Sequence, residues 1–161
     1  MEKNGWRRRA VMANKWLLGK MRSRKADTLH MRPVRHEGFD SLTGVETCLV
    51  VTYRKDGRPV AQPVWPGHDP GRLYVWTEEN AYKAKRVQRN PNALIAPCTF
   101  SGKPLADPIA AHGRVLETDD ERAHARDRIR ANWGWKQKVF EFGFRQVTDV
   151  IYLEFVPQTT V

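Results

Sequence analysis

The side chains best placed to do chemistry are cations in one short stretch, Val75-Trp76-Thr77-Glu78-Glu79-Asn80-Ala81-Tyr82-Lys83-Ala84-Lys85-Arg86. Val75-Trp76-Thr77 reads as the end of a strand. A helix is predicted from about Asn80, its candidate N-cap, to Arg89, where Asn90-Pro91 stops it. Lys83 then falls in the first turn, with Arg86 one turn on along the same face. Cations there face the positive end of the helix dipole, where anions are preferred. A bound phosphate resolves the conflict, accepting hydrogen bonds from free backbone N–H groups and from Lys83. Thr77 adds a hydroxyl at the strand end. The plain alternative is a solvated basic helix. Against it stand the placement of the cations, the direct strand-to-helix step, and a preceding strand pair rich in Trp and Pro.

Other chemistry is hard to find. The chain has no G-x-S-x-G, H-E-x-x-H, C-x-x-C or G-x-x-x-x-G-K signature. Its histidines, His30, His36, His68, His112 and His124, lack metal-ligand spacing, so no metal site is expected. His112 reads as a hydrogen-bonded strand histidine rather than a base. The grouped carboxylates, Glu78-Glu79 and Asp119-Asp120-Glu121, are explained by helix starts. No catalytic side chain is assigned. Cys48 and Cys98 sit in apolar strand-like runs and are expected to be buried thiols in a reducing compartment.

With 161 residues and 40% apolar content, the chain fits one globular domain. No apolar run approaches the roughly 20 residues of a membrane span. The run Trp16-Leu17-Leu18 is too short for a signal-peptide core, so a cytoplasmic protein is expected. The net charge of +10 is uneven. Residues 1–35 hold eleven of the 28 Lys/Arg but only Glu2 and Asp27 of the 18 acids, a balance of +9. The remaining 126 residues carry +1. The expected division is a basic N-terminal arm, 1–36, and a domain, 37–161. The arm has one candidate helix, Val11 to Lys25, with Val11, Met12, Trp16 and Met21 as a loose apolar face. A helix packed on the domain, or a frayed terminus, is the plain reading. Attachment to an anionic membrane surface or to nucleic acid is the sharper one. No specific nucleic acid is expected for the body. Met12 is an alternative start.

The body alternates short strands with turns. Strands are predicted at 46–54, 58–65, 72–77, 92–100, 109–118 and 148–157. Lys55-Asp56-Gly57 is a hairpin turn, and Gly67-His68-Asp69-Pro70-Gly71 another. Pro59 and Pro63 mark the second strand as an edge, a bulge or a ligand-facing stretch. Thr118-Asp119-Asp120-Glu121 starts a helix reaching about Asn132. A second, aromatic helical piece is predicted from Trp133 to Phe144. This order suggests a mainly β, α+β fold: a closed antiparallel barrel decorated by two or three helices.

The series TYRKDGRPVAQPVWP, GRLYVWTEENAYKAKRVQRNP and IAAHGRVL resembles the pyridoxamine 5′-phosphate oxidase-like superfamily. The likeness spans about residues 42–155 and is strongest to its flavin/deazaflavin oxidoreductases of the B type, the coenzyme F420-dependent enzymes of actinobacteria. The resemblance implies an FMN-binding-like split β-barrel, forming a homodimer with the cofactor at the subunit interface. It implies cofactor phosphate near Thr77, Lys83 and Arg86, with Lys85 as a weaker candidate. It implies a ring lying against Gln62, Pro63 and Val64, near Trp76. The expected activity is hydride transfer from reduced F420 to a small unsaturated or quinone-like acceptor. The alternatives are an FMN-dependent oxidoreductase and a non-catalytic module binding F420, flavin or heme. The aromatic set Trp133, Trp135, Phe140, Phe142 and Phe144 either walls the substrate face or packs in the core, the latter being favoured. Where the oxidase carries an arginine in its second strand and an S-R-K phosphate triplet, this chain reads Ala61 or Gln62 and Ala81-Tyr82-Lys83. That argues against pyridoxamine phosphate oxidation and weakens the FMN reading. The acidic oligoglutamate tail of F420 is one candidate partner for the basic arm. A membrane periphery contacted by the same arm is another.

Overall fold

The computed structural model of the chain describes residues 23–78, 82–134 and 150–160. Seven strands form one antiparallel sheet in the order β2-β1-β5-β6-β7-β4-β3. They are β1 (Cys48–Tyr53), β2 (Pro59–Val64), β3 (Gly67–Asp69), β4 (Arg72–Glu78), β5 (Asn92–Pro97), β6 (Ile109–Val115) and β7 (Val150–Pro157). Among the described residues two α-helices interrupt them: α1 (Tyr82–Arg89) and α2 (Asp119–Trp133). A 3-10 helix, Arg24–Met31, precedes the sheet.

Alternation along the strands sorts their side chains to two faces. Cys48 and Val50 of β1, Val64 of β2, Leu73 and Val75 of β4, and Ile95 of β5 meet in one cluster. Ile109 and Ala111 of β6 and Leu153 and Phe155 of β7 join them, with Ala84 and Val87 of α1. One face of strands at both ends of the sheet shares this core, so the sheet curls around it. It does not close. Among the described residues β2 and β3 pair only with β1 and β4, which leaves two edges. The architecture is therefore a split α+β barrel, as the resemblance implies, rather than the closed barrel that element order alone suggests.

The outer face is covered twice. The 3-10 helix places Ala26 and Leu29, both fully buried, against Leu49, Val51, Ala61 and Ala96. The described end of the arm is thus packed on the sheet. The arm helix predicted over 11–25 lies mostly outside the described residues. On the other flank, α2 lays Ala125, Ile129 and Trp133 on Tyr74 and Leu116, with Trp65, Trp76 and Tyr152 beside them. The α2 start is built as expected. Thr118 accepts from the Glu121 N–H while the Glu121 carboxylate accepts from the Thr118 N–H, a capping box.

Two sequence expectations need comment. Gly67-His68-Asp69, read as part of a turn, is the short strand β3, and the turn proper is Pro70-Gly71 with Gly71 at φ 69°. A three-residue strand is too short to show alternation. Packing makes it a strand: a Cβ on Gly67 would stand 2.4 Å from the Ile129 backbone N, so α2 rests directly on β3. The proposed aromatic helical piece and the Asn80 cap lie outside the described residues, apart from Trp133. That residue is buried in an edge-on contact with Trp65, centroids 4.6 Å apart.

Candidate anion-binding site

The inner row of β1 runs Cys48, Val50, Thr52. Its first two members are core residues, and the third brings a hydroxyl to the same face. The register sets Val50 opposite Gln62 and Thr52 opposite Val60, so Gln62 shares that face. α1 packs against β1 and β6. Ala84 and Val87 anchor it in the main core, so the flanking Lys83 and Arg86 are drawn inward with them. Each is only 8% exposed. Thr77, 7% exposed, ends the inner row of β4 just before this helix and stands opposite Ile151 of β7.

Arg86 is held in place. Its Nε donates to Thr52 Oγ1 at 2.8 Å, and a second guanidinium nitrogen donates to Gln62 Oε1 at 3.4 Å. Neither partner is a carboxylate. Lys83 has no hydrogen bond or ion pair among the described residues. Burial drives its pKa down to about 8, with the Arg86 charge adding to the effect. Arg86 is likewise lowered, first by burial, then by Arg54 and Arg89. Buried charge without a counter-charge is costly. Several other arginines are neutralised: Glu154 receives Arg72 at 2.8 Å and Arg114 at 2.9 Å, and Arg35, Arg58 and Arg122 each have an acid partner. Two adjacent buried cations without an acid partner among the described residues make this a candidate anion site.

Of the residues singled out in the sequence, Gln62, Lys83 and Arg86 come together here, and Thr77 is buried at the inner end of β4. Val64 shares the inner face with Gln62, and the other three point elsewhere. Lys85 is exposed, its Nζ lying 5.9 Å from the Tyr82 ring centroid. Val64 is buried in the main core. Pro63 pairs with Leu49 on the outer face, and Trp76 is on the outer face of β4 beneath α2. Thr52 was not among the expected residues. Its signal was a lone hydroxyl at an inner position of an otherwise apolar row. His112 is a strand residue whose Nε2 lies 3.0 Å from Asn92 Oδ1, in keeping with a hydrogen-bonded histidine. Cys48 and Cys98 are buried free thiols, both pushed up to about 12 by burial, and so are inert as nucleophiles. Among the described residues no His, Cys, Asp and Glu group could hold a metal ion, and no helix is long and apolar enough to cross a membrane.

No family model matches the chain, and neither does any curated protein. Solved structures do. The heme storage protein HutZ of Vibrio cholerae aligns over 72% of this chain and 84% of its own at 16% identity, with a TM-score of 0.56. A Clostridium acetobutylicum protein of the pyridoxinephosphate oxidase family, related to general stress protein 26, aligns over 72% of this chain and 78% of its own. Its identity is 12% and its TM-score 0.51. A conserved hypothetical protein of Mycobacterium tuberculosis aligns over 70% and 73% at 13% identity, with a TM-score of 0.52. At such identities the likeness establishes the fold: this chain has the split-barrel architecture of pyridoxamine 5′-phosphate oxidase-like proteins.

Proposed function

We propose that this chain is an oxidoreductase that binds coenzyme F420 and reduces a small unsaturated or quinone-like acceptor. The observation that carries the reading is the buried pair Lys83 and Arg86 on α1, the helix following β4, with no acid partner among the described residues. The donor set fits a phosphoryl group: an ammonium, a guanidinium braced by Thr52 and Gln62, and the nearby Thr77 hydroxyl. FMN offers a phosphate as well, so the choice of F420 rests on the sequence resemblance, as do the homodimer and the interfacial cofactor.

When bound, the deazaflavin supplies the hydride chemistry, and the protein supplies binding and orientation. Lys83 and Arg86 fix the anionic end of the cofactor. Thr52 limits the rotation of the Arg86 guanidinium, so its donors are set before the ligand arrives. The edge strand β2, whose Pro59 and Pro63 have no N–H to offer on its open side, is the surface we assign to the ring. The low exposure of Lys83 and Arg86 excludes water and strengthens their hold on charge.

The test is a fluorescence titration of the full chain with F420 and, separately, FMN, repeated with Lys83→Ala. The reading expects saturable F420 binding, weakened at least tenfold in the variant, and oxidation of reduced F420 by a quinone. Tight FMN binding with no F420 binding would replace it with the flavin enzyme. F420 binding without turnover on any acceptor would leave a binding module.

A further inference from the structure

The acid-free cations do not stop at the buried pair. Arg54 follows Thr52 at the next inner position of the β1 row, just past the strand end, and its N–H bonds the Arg58 carbonyl across the turn at 2.8 Å. Arg89 stands one turn beyond Arg86 on α1. Both are exposed, and the charges of both reach Arg86. Neither has an acid partner among the described residues. By contrast, neighbouring Arg58 is paired with Asp56 at 2.7 Å, and Arg126 and Arg128 on α2 have Asp127 and Asp69 at 3.8 Å. The cations therefore form a row with a buried inner tier, Lys83 and Arg86, and an open outer tier, Arg54 and Arg89. Along α1, one helical turn, about 5 Å, separates Arg86 from Arg89.

We propose that the outer tier is a second anion subsite, so that the ligand of this site is a small molecule carrying two anionic groups about one helical turn apart. This rests on the anion site described above and extends it. A single phosphate seated between Lys83 and Arg86 leaves the charges that Arg54 and Arg89 direct at Arg86 unanswered, whereas a second anionic group offsets them. The subsite is indifferent to whether the second group is a phosphate or a carboxylate, because both are met by exposed guanidinium forks.

The experiment is calorimetric titration of the full chain with inorganic phosphate and with tripolyphosphate, at fixed ionic strength. We expect tripolyphosphate to bind at least tenfold more tightly than phosphate. The double variant Arg54→Gln/Arg89→Gln should lose most of that advantage while its affinity for phosphate stays within threefold. A control, Lys25→Gln/Lys103→Gln, removes the same charge from exposed sites elsewhere and should change neither. Equal affinities in the native chain, no binding of either anion, or an equal loss in the control would overturn the proposal. Titration of the native chain and the double variant with F420 separates the two claims. F420 binding without a tripolyphosphate advantage removes the second subsite and leaves the cofactor assignment standing. A tripolyphosphate advantage without F420 binding does the reverse.

Discussion

At the scale of single residues, Lys83 sets function against stability. Its folded pKa of about 8 lies below the roughly 10.4 of an unfolded lysine. Below pH 8 both states are protonated, and the fold carries the full cost of a buried charge, roughly 3 kcal/mol. Between about 8 and 10.4 the folded state has already released its proton, so that cost disappears as pH rises. Lys83→Met should therefore raise the melting temperature of the ligand-free protein at pH 7, by several degrees. The advantage should shrink by pH 10, a trend that calorimetric melts at the two pH values would show. Added phosphate should raise the melting temperature of the native chain at pH 7 and not that of the variant. Thr52 acts through Arg86. Thr52→Val keeps the shape but leaves the buried Arg86 Nε without its acceptor at 2.8 Å, so it should cost about 1–3 kcal/mol in melts and lower anion affinity about three- to tenfold in titrations. Lys83 was legible in the sequence because a cation in a helix's first turn conflicts with the dipole, and Arg86, which falls in the last turn of α1, through its spacing from Lys83. Thr52 was not, because one hydroxyl in a β-branched strand is ordinary.

At the scale of elements, α1 is positioned by a missing side chain. Gly113 on β6 sits beneath Phe155 and Val87. An added Cβ would come within 2.6 Å of Phe155 Cε1 and 3.0 Å of Val87 Cγ1. Gly113→Ala should cost about 1–3 kcal/mol through overpacking. Because Val87 is one of the contacts seating α1, it should also weaken anion binding, by more than the remote Thr118→Ala does. That second variant loses the α2 capping box, costs about 1 kcal/mol and should leave binding unchanged. Paired melts and phosphate titrations separate the two effects. The helix positions themselves were readable from caps and stops: Thr118 with Glu121, and Asn90 before Pro91. β3 was not, because three residues tied to β4 and to the α2 backbone carry no periodic signal of their own.

At the scale of the whole molecule, the sheet is fastened where no barrel closure does it. Glu154 on β7, 7% exposed at its side chain, receives Arg72 from β4 and Arg114 from β6, and Arg114 also reaches Glu121 at the α2 start at 2.7 Å. The network crosses three strands and ties α2 to them. The arginines are about half exposed, so solvent screening lowers the worth of the network below that of a fully buried pair. Glu154→Ala should cost about 2 kcal/mol, read as a lower denaturant midpoint with unchanged slope. The curl of the sheet and its two open edges could not be read from strand order, since order leaves open whether the first and last strands meet. The prolines of β2 did mark an edge correctly.

The central claim is that the α1 start holds a ligand's phosphate on a buried, unpaired lysine. Side-chain nitrogen NMR of Lys83, titrated against pH with and without F420, tests this most directly. The account predicts an ammonium pKa near 8 in the free protein, rising by at least one unit when the cofactor binds. A value near that of an ordinary lysine, indifferent to the ligand, would contradict it.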